Sequence, residues 1–219
     1  MTAVLVGQLD SPYVRRVAVS AMLLGINFEQ RPWSVGADQA KLREVNPSGR
    51  VPAWIEPDGV VLSESAQIVD HLDDLAGPGR ALMPFVAADR REARAWLGLL
   101  TGVLDKGIAI VIERIFQPPA LHGSPWTQRC GEQLRSALDD VERRCAARAE
   151  AEWLVDNRQT HADVAFACFL TYLRDALPLD VAAYPALAAR LARIEARPAF
   201  IATYTPFDAP KPNPKDAAA

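Results

Sequence analysis

The chain has 219 residues, of which 50% are hydrophobic and 23% are charged, a composition typical of globular proteins with a sizeable core. Its formal net charge of −3, without a basic stripe or run, disfavours nucleic acid as a partner. No apolar run approaches the roughly 20 residues of a membrane span, and no signal peptide is evident. We therefore expect neither a membrane segment nor secretion.

The cysteines and histidines indicate neither a disulfide framework nor a metal site. Cys130, Cys145 and Cys168 are odd in number and widely spaced, so we expect reduced thiols in a cytoplasmic protein. The 3 histidines show no spacing typical of metal ligands. No metal is predicted.

Residues 3–75 alternate between strand-like and helix-like patterns. Short apolar runs between turn residues indicate strands, and apolar residues at a spacing of about 3.6 indicate helices. The predicted order is strand, helix, strand, helix, hairpin and helix, at residues 3–7, 11–25, 27–33, 37–45, 51–55 with 60–63, and 66–75. This β-α-β-α-β-β-α order matches a thioredoxin-like domain, which we predict over residues 1–78.

Residues 77–84 are rich in glycine and proline and indicate a linker, which we place at residues 79–88. Beyond it the pattern is helical only, which predicts an all-α domain over residues 89–219. Its predicted helices lie at residues 89–116, 126–149, 164–173 and 186–196. Thr160 and Asp163 form a capping box before the third of these helices, a structural role. The proline-rich tail is expected to be extended or partly disordered.

Residues 49–65 are the most informative stretch. A proline that opens a strand, as in Val51-Pro52, leaves the preceding backbone extended and its polar groups free to face a ligand. Further on, Glu64-Ser65 places a carboxylate and a hydroxyl at a helix N-terminus, where unpaired N–H groups attract anions. This combination predicts a site for an extended, zwitterionic peptide.

Ser11, followed by Pro12, is the candidate for the chemistry because it lies at the start of the first predicted helix. The helix dipole favours negative charge at that position, so the hydroxyl could stabilise an anion there. On local sequence alone, a plain helix N-cap is the favoured explanation of Ser11.

Over nearly its whole length the chain resembles the soluble glutathione S-transferase family, in its serine-type, bacterial-like form. Four segments carry the resemblance: residues 11–13, 50–52, 64–65 and 160–163. The resemblance implies a thioredoxin-like glutathione-binding domain and an all-helical domain that forms the electrophile pocket. The implied activity is conjugation of glutathione, the co-substrate, to a small hydrophobic electrophile, a detoxification reaction carried out by a cytoplasmic homodimer.

The resemblance assigns the thiol chemistry to Ser11, whose hydroxyl would hydrogen-bond the glutathione sulfur as a thiolate. A free thiol has a pKa near ~8.5, and lowering it by ~1–2 units corresponds to ~1.4–2.7 kcal/mol. One hydrogen bond to a charged acceptor contributes about 1.5–3 kcal/mol, so no general base is needed.

The remaining implied roles concern binding. The Val51 backbone would pair with the cysteinyl amide beside a cis Pro52, and Arg50 would approach the glycyl carboxylate. Glu64 would take the γ-glutamyl ammonium, while Ser65 and the helix N–H groups would take the carboxylate.

Three other functions stay open. Glutathione-dependent thiol exchange occurs in relatives with cysteine at the position of Ser11, and serine cannot form the mixed disulfide. A zeta-class isomerase would carry a Ser-Ser-Cys-type motif, whereas Ser11 is followed directly by Pro12. A non-catalytic binding or regulatory protein usually lacks the sulfur-contacting or γ-glutamyl-contacting residues, and this chain has both.

No functional role is assigned to several other side chains. Tyr13 and Gln67 lie beside the candidate site without an assigned function. A further set of large apolar side chains fits either the core or the electrophile pocket: Trp96, Leu100, Leu104 and Phe207.

Overall fold

The computed structural model describes residues 2–209. The chain divides into two compact units. One runs to Leu82 and also includes the segment that begins at Pro198, and the other is Met83–Arg197.

The first unit is built on a four-stranded sheet with the order β2-β1-β3-β4. Its strands are β1 (Ala3–Val6), β2 (Phe28–Arg31), β3 (Ala53–Ile55) and β4 (Val61–Ser63). β1 and β2 are parallel, whereas β1 with β3 and β3 with β4 are antiparallel. The helices of this unit are α1 (Pro12–Leu24), α2 (Gln39–Val45) and α3 (Ser65–Ala76). The predicted β-α-β-α-β-β-α order is confirmed.

The core of the first unit follows from two sequence patterns. All four residues of β1 are buried, as a continuous apolar run predicts for a strand covered on both faces. α1 and α3 pack against each other, and their apolar faces bury Val17 and Leu72 completely. α1 ends at Gly25, whose left-handed conformation suits a residue without Cβ.

The second unit is helical, as predicted. Its helices are α4 (Ala87–Phe116), α5 (Pro125–Ala146), α6 (His161–Ala176) and α7 (Pro185–Glu195). α4 packs against α5 and α6. The crossing with α6 is close at Gly107, where an added Cβ would lie 2.1 Å from Leu173 Cδ2.

Within residues 2–209, α4 is the one helix that is long and apolar enough, by length and composition, to cross a membrane; its most apolar 18-residue window has a mean hydropathy of 1.7. Packing accounts for part of that composition, because 33% of that window is buried. Trp96, Leu100 and Leu104 are buried in the core of the helical unit, which is an ordinary position for apolar residues of a globular protein.

The predicted capping box at the start of α6 is confirmed. Asp163 Oδ2 accepts hydrogen bonds from the Thr160 backbone N–H and from Thr160 Oγ1, both at 2.9 Å. Asp163 Oδ1 accepts a third, from the Leu154 backbone N–H at 2.9 Å. Burial raises the pKa of the Asp163 carboxyl from its usual value, against the effect of these donors.

The C-terminal helix α8 (Pro198–Ala202) departs from the predicted domain division, which gave all of residues 89–219 to the helical domain. α8 packs on α1 instead, because the Arg15 Nη2 atom donates to the Phe200 carbonyl oxygen at 3.0 Å and the Phe200 side chain is buried. α4 also begins inside the predicted linker, at Ala87. The predicted proline-rich tail lies largely outside the described residues.

Candidate functional site

The sheet register gathers the predicted site at one end of the first unit. Val6, the last residue of β1, lies opposite Ala53, the first residue of β3. Ala53 in turn lies opposite Ser63, the last residue of β4. The loop after β1, the turn before β3 and the turn after β4 therefore meet at the same end of the sheet.

Gly7 permits the close approach of two of these segments. Its φ of +129° is a conformation that L side chains rarely adopt. An added Cβ would lie 2.5 Å from Val14 Cγ2 and 2.9 Å from Val51 Cβ, closer than packed carbon atoms come. The absence of a side chain here lets the first turns of α1 pack beside the Val51-Pro52 turn.

Ser11 is the N-cap of α1, with Pro12 at the first helical position. Its Oγ accepts a long hydrogen bond from the Val14 backbone N–H, at 3.5 Å. A serine hydroxyl has one donor and two acceptor positions, so this cap leaves its proton able to donate to another group. The side chain is partly exposed and so accessible to a ligand.

Next to Ser11, Asp10 is a titratable group that sequence reasoning missed. Asp10 Oδ2 accepts a hydrogen bond from the Asp208 backbone N–H at 3.3 Å. Burial raises the pKa of the Asp10 carboxyl, and the nearby Asp208 charge raises it further, against several backbone donors. The environment thus disfavours negative charge on Asp10.

The turn before β3 is held by Asn46, also missed from sequence. Asn46 Nδ2 donates to the Arg50 carbonyl oxygen at 2.9 Å, and Asn46 Oδ1 accepts from the Ser48 backbone N–H at 3.2 Å. The Val51-Pro52 peptide bond is cis, as predicted. Because β3 begins at Ala53, Val51 lies outside the strand, at the rim of the site.

Glu64 adopts an unusual backbone conformation at the start of α3. Its φ is +66°, in the left-handed region that non-glycine residues seldom occupy. It is the N-cap of α3, yet its side chain makes no capping hydrogen bond. The start of α3 therefore has no side-chain cap from its N-cap residue.

Arg50 and Glu64, which the resemblance assigns to different parts of the peptide, form an ion pair with each other. Arg50 Nη1 lies 3.2 Å from Glu64 Oε1, and both side chains are 61% exposed. Exposed pairs of this kind contribute about 0–1 kcal/mol, so this one restrains either side chain only weakly.

Ser65, the first residue of α3, is buried and paired with a residue that sequence reasoning missed. Arg16 Nη1, from the second turn of α1, donates to Ser65 Oγ at 3.3 Å. In the sequence, Arg16 is one of two adjacent arginines between apolar positions of α1, and that pattern does not reveal which way either side chain points.

The helical unit contains a separate cavity of about 510 Å³, lined by α4, α5 and residues 177–184. None of the predicted site residues lines it. Within residues 2–209, no group of histidine, cysteine and acidic side chains is arranged to hold a metal ion.

Comparisons with known proteins match both units. A family model described as "Glutathione S-transferase, N-terminal domain" matches residues 5–80, and one described as "Glutathione S-transferase, C-terminal domain" matches residues 124–193. Glutathione S-transferase 3 of Zea mays is 31% identical over 217 residues, which cover 95% of this chain and 96% of that protein.

Two solved structures of similar fold contain a glutathione-type ligand. A Methylobacterium radiotolerans glutathione S-transferase in complex with glutathione sulfonate is 28% identical, with a TM-score of 0.84, covering 95% of this chain and 99% of that one. A Methylobacillus flagellatus glutathione S-transferase with glutathione bound is also 28% identical, with a TM-score of 0.84 over 92% of this chain and 98% of that one. The chain belongs to the soluble glutathione S-transferase family.

Proposed function

We propose that the chain is a glutathione transferase that binds glutathione at the end of its four-stranded sheet and conjugates it to a small apolar electrophile. One observation carries the proposal: the N-cap Ser11, the cis Val51-Pro52 turn and the start of α3 at Glu64-Ser65 converge at one sheet end. Two helix N-termini favour anions there, which fits a peptide with a carboxylate and a thiolate.

In the proposed binding mode, glutathione lies extended across this end of the sheet. Its γ-glutamyl carboxylate accepts hydrogen bonds from Ser65 and from the first N–H groups of α3, and its ammonium pairs with Glu64. The Val51 backbone pairs with the cysteinyl amide, and Arg50 turns to the glycyl carboxylate. The Arg50–Glu64 pair opens on binding, at little cost because both side chains are well exposed.

The proposed chemistry begins at Ser11, whose hydroxyl donates to the glutathione sulfur. Stabilising the thiolate lowers the thiol pKa, and the proton passes to solvent. The thiolate then forms a carbon–sulfur bond to the electrophile, whose leaving group departs with the bonding electrons or whose π electrons take up a proton. No covalent enzyme intermediate is involved.

The position of the cysteines disfavours thiol exchange. Cys130, Cys145 and Cys168 are all buried in the helical unit, so none can form a mixed disulfide at this site. Buried, reduced thiols also fit the reducing cytoplasm, which we propose as the location. We further propose a homodimer, and a monomer mass in sedimentation analysis would contradict it.

A matched pair of N-cap serines tests the role of Ser11. Ser124 also precedes a proline, and its Oγ likewise accepts from the backbone N–H three residues on, Thr127 N, at 3.2 Å. Ser11→Ala should lower the free energy of unfolding by about 1 kcal/mol, and Ser124→Ala should lower it by more, because Ser124 Oγ also donates to Glu113 Oε2 at 2.6 Å. Only Ser11→Ala should reduce turnover of a general aromatic electrophile, by about 10-fold or more, while the glutathione Kd changes little.

The pKa of the bound thiol, followed through the ultraviolet absorbance of the thiolate, should rise towards the free value of ~8.5 in Ser11→Ala. Unchanged turnover in that variant would remove Ser11 from its role. Glutathione binding by the wild-type chain without turnover across a panel of electrophiles would favour a non-catalytic protein, and turnover of isomerase substrates alone would favour an isomerase.

A further inference from the structure

Two adjacent arginines in α1 are buried and serve different neighbours. Arg15 is 4% exposed and Arg16 is 6% exposed, although arginine is rarely buried to this extent without partners. Arg15 donates to the Phe200 carbonyl oxygen and lies over the Tyr204 ring, with its Cζ 5.4 Å from the ring centroid. Arg16 donates to Ser65 Oγ, at the start of α3.

In the hydrogen bond between Arg16 and Ser65, only Arg16 can be the donor. A guanidinium carries donors and no acceptor, so Ser65 Oγ must accept from Arg16 Nη1. The single hydroxyl proton of Ser65 is therefore left to donate to an acceptor other than Arg16. Ser65 lies where the first N–H groups of α3 also lack helical acceptors.

We propose that Arg16 is a positioning residue for the γ-glutamyl carboxylate of glutathione, a role that rests on the proposed function. It fixes Ser65 as a hydrogen-bond donor to that carboxylate and adds a buried positive charge behind the hydroxyl. The Ser65 proton and the α3 N–H groups then point to the same anion, and Arg16 acts through Ser65 without touching the ligand itself.

Burial strengthens the attraction between the Arg16 guanidinium and the γ-glutamyl carboxylate. Arg16 is shielded from solvent and salt, whereas Arg50, with a 61% exposed side chain, is screened. The Arg16 contribution to binding should therefore persist at high ionic strength, and the Arg50 contribution should decline. The two arginines thereby serve different carboxylates of the tripeptide by different means.

A pair of ligands isolates this effect. γ-Aminobutyryl-cysteinyl-glycine keeps the ammonium, thiol and glycyl carboxylate of glutathione but lacks the γ-glutamyl carboxylate. Isothermal titration calorimetry of the full chain would give the Kd of each peptide, and the ratio of the two Kd values measures recognition of that one carboxylate. We expect wild type to prefer glutathione by about 10–100-fold.

Arg16→Gln should reduce this preference by about 10-fold, and Arg16→Lys, which keeps the charge, should reduce it less. Arg15→Gln is the matched control, because it removes the adjacent buried arginine, which contacts Phe200 and Tyr204 on the C-terminal segment. It should lower the melting temperature and preserve the preference.

An undiminished preference in Arg16→Gln would overturn the inference, as would an equal loss in Arg15→Gln. If Arg16→Gln does not fold, Ser65→Ala tests the same contact with Arg16 in place. It should also lose most of the preference, and a retained preference would overturn the inference. Failure of wild type to bind either peptide would instead contradict the proposed function.

Discussion

At the scale of single residues, Glu64 is held where its backbone conformation is unfavourable. A non-glycine residue at a φ of +66° costs on the order of 1–3 kcal/mol. The side chain does not offset this conformational cost by capping α3, because it makes no capping hydrogen bond. The ion pair of Glu64 with Arg50 is also too exposed to offset this cost. The proposed role in binding glutathione would account for a carboxylate rather than glycine at this position.

Two substitutions at Glu64 separate charge from backbone conformation. Glu64→Gln removes the charge but keeps the Cβ and the unfavourable backbone conformation. Glu64→Gly removes the charge and also the Cβ that makes this conformation unfavourable. Both should weaken glutathione binding by about 10-fold or more in titration calorimetry, since Glu64→Gln removes the negative charge that pairs with the ammonium and Glu64→Gly removes the acceptor altogether. Glu64→Gly should also equal or exceed wild type in free energy of unfolding, because glycine tolerates positive φ. An unchanged Kd in both variants would contradict the role of Glu64.

Side-chain contacts between distant residues were the features that the sequence predicted least well. Ser11, Glu64 and Ser65 could be found because hydroxyl and carboxylate residues before helix patterns are local signals. The Arg16–Ser65 and Arg50–Glu64 contacts join residues 49 and 14 positions apart. No local pattern encodes such contacts, since they depend on how α1, β3 and α3 are assembled.

At the scale of elements, the junction between α4 and α5 is fixed by a single carboxylate. Glu113 Oε1 accepts from the Gly123 backbone N–H at 2.7 Å, and its Oε2 accepts from Ser124 Oγ at 2.6 Å and from Thr127 Oγ1. These donors, the Ser124 and Thr127 hydroxyls foremost, lower the pKa of Glu113 to about 2. The end of α4 is thereby joined to the start of α5.

This junction predicts a pH-dependent stability. A depressed pKa in the folded state stabilises the fold above the ordinary value of 4.5, and the contribution is lost as pH falls towards about 2. Glu113→Gln should therefore be less stable than wild type at neutral pH, and the difference should shrink across that range. Urea unfolding at several pH values would measure it.

Glu132→Gln, which neutralises an exposed carboxylate on α5, serves as the control and should not reproduce this pH dependence. A constant difference between Glu113→Gln and wild type from neutral to acid pH would contradict the assignment.

At the scale of the whole molecule, the chain returns to its first unit after the helical unit is complete. The segment that begins at Pro198 groups with residues up to Leu82, through α8 and the Arg15–Phe200 contact. Sequence patterning assigned this segment to the helical domain because helical periodicity does not specify which partner a short helix packs against.

Two neighbouring residues of α8 test this return. Phe200 is 1% exposed and Ile201 is 62% exposed. Phe200→Ala should lower the free energy of unfolding by about 3–5 kcal/mol, because it leaves a cavity in the first unit, whereas Ile201→Ala should change it by less than about 0.5 kcal/mol. Chemical denaturation followed by tryptophan fluorescence would measure both. Equal effects would contradict the burial of α8.

The sequence by itself determined the order of strands and helices, the proline turn before β3, the capping box of α6 and the identity of the hydroxyl and carboxylate residues at the two helix starts. Each of these depends on interactions between residues close in the chain. Only the tertiary structure decided that Gly7 lets Val14 and Val51 pack together, that Arg16 lies behind Ser65, and that α8 belongs to the first unit. These features arise from close packing between distant segments, which local patterns do not specify.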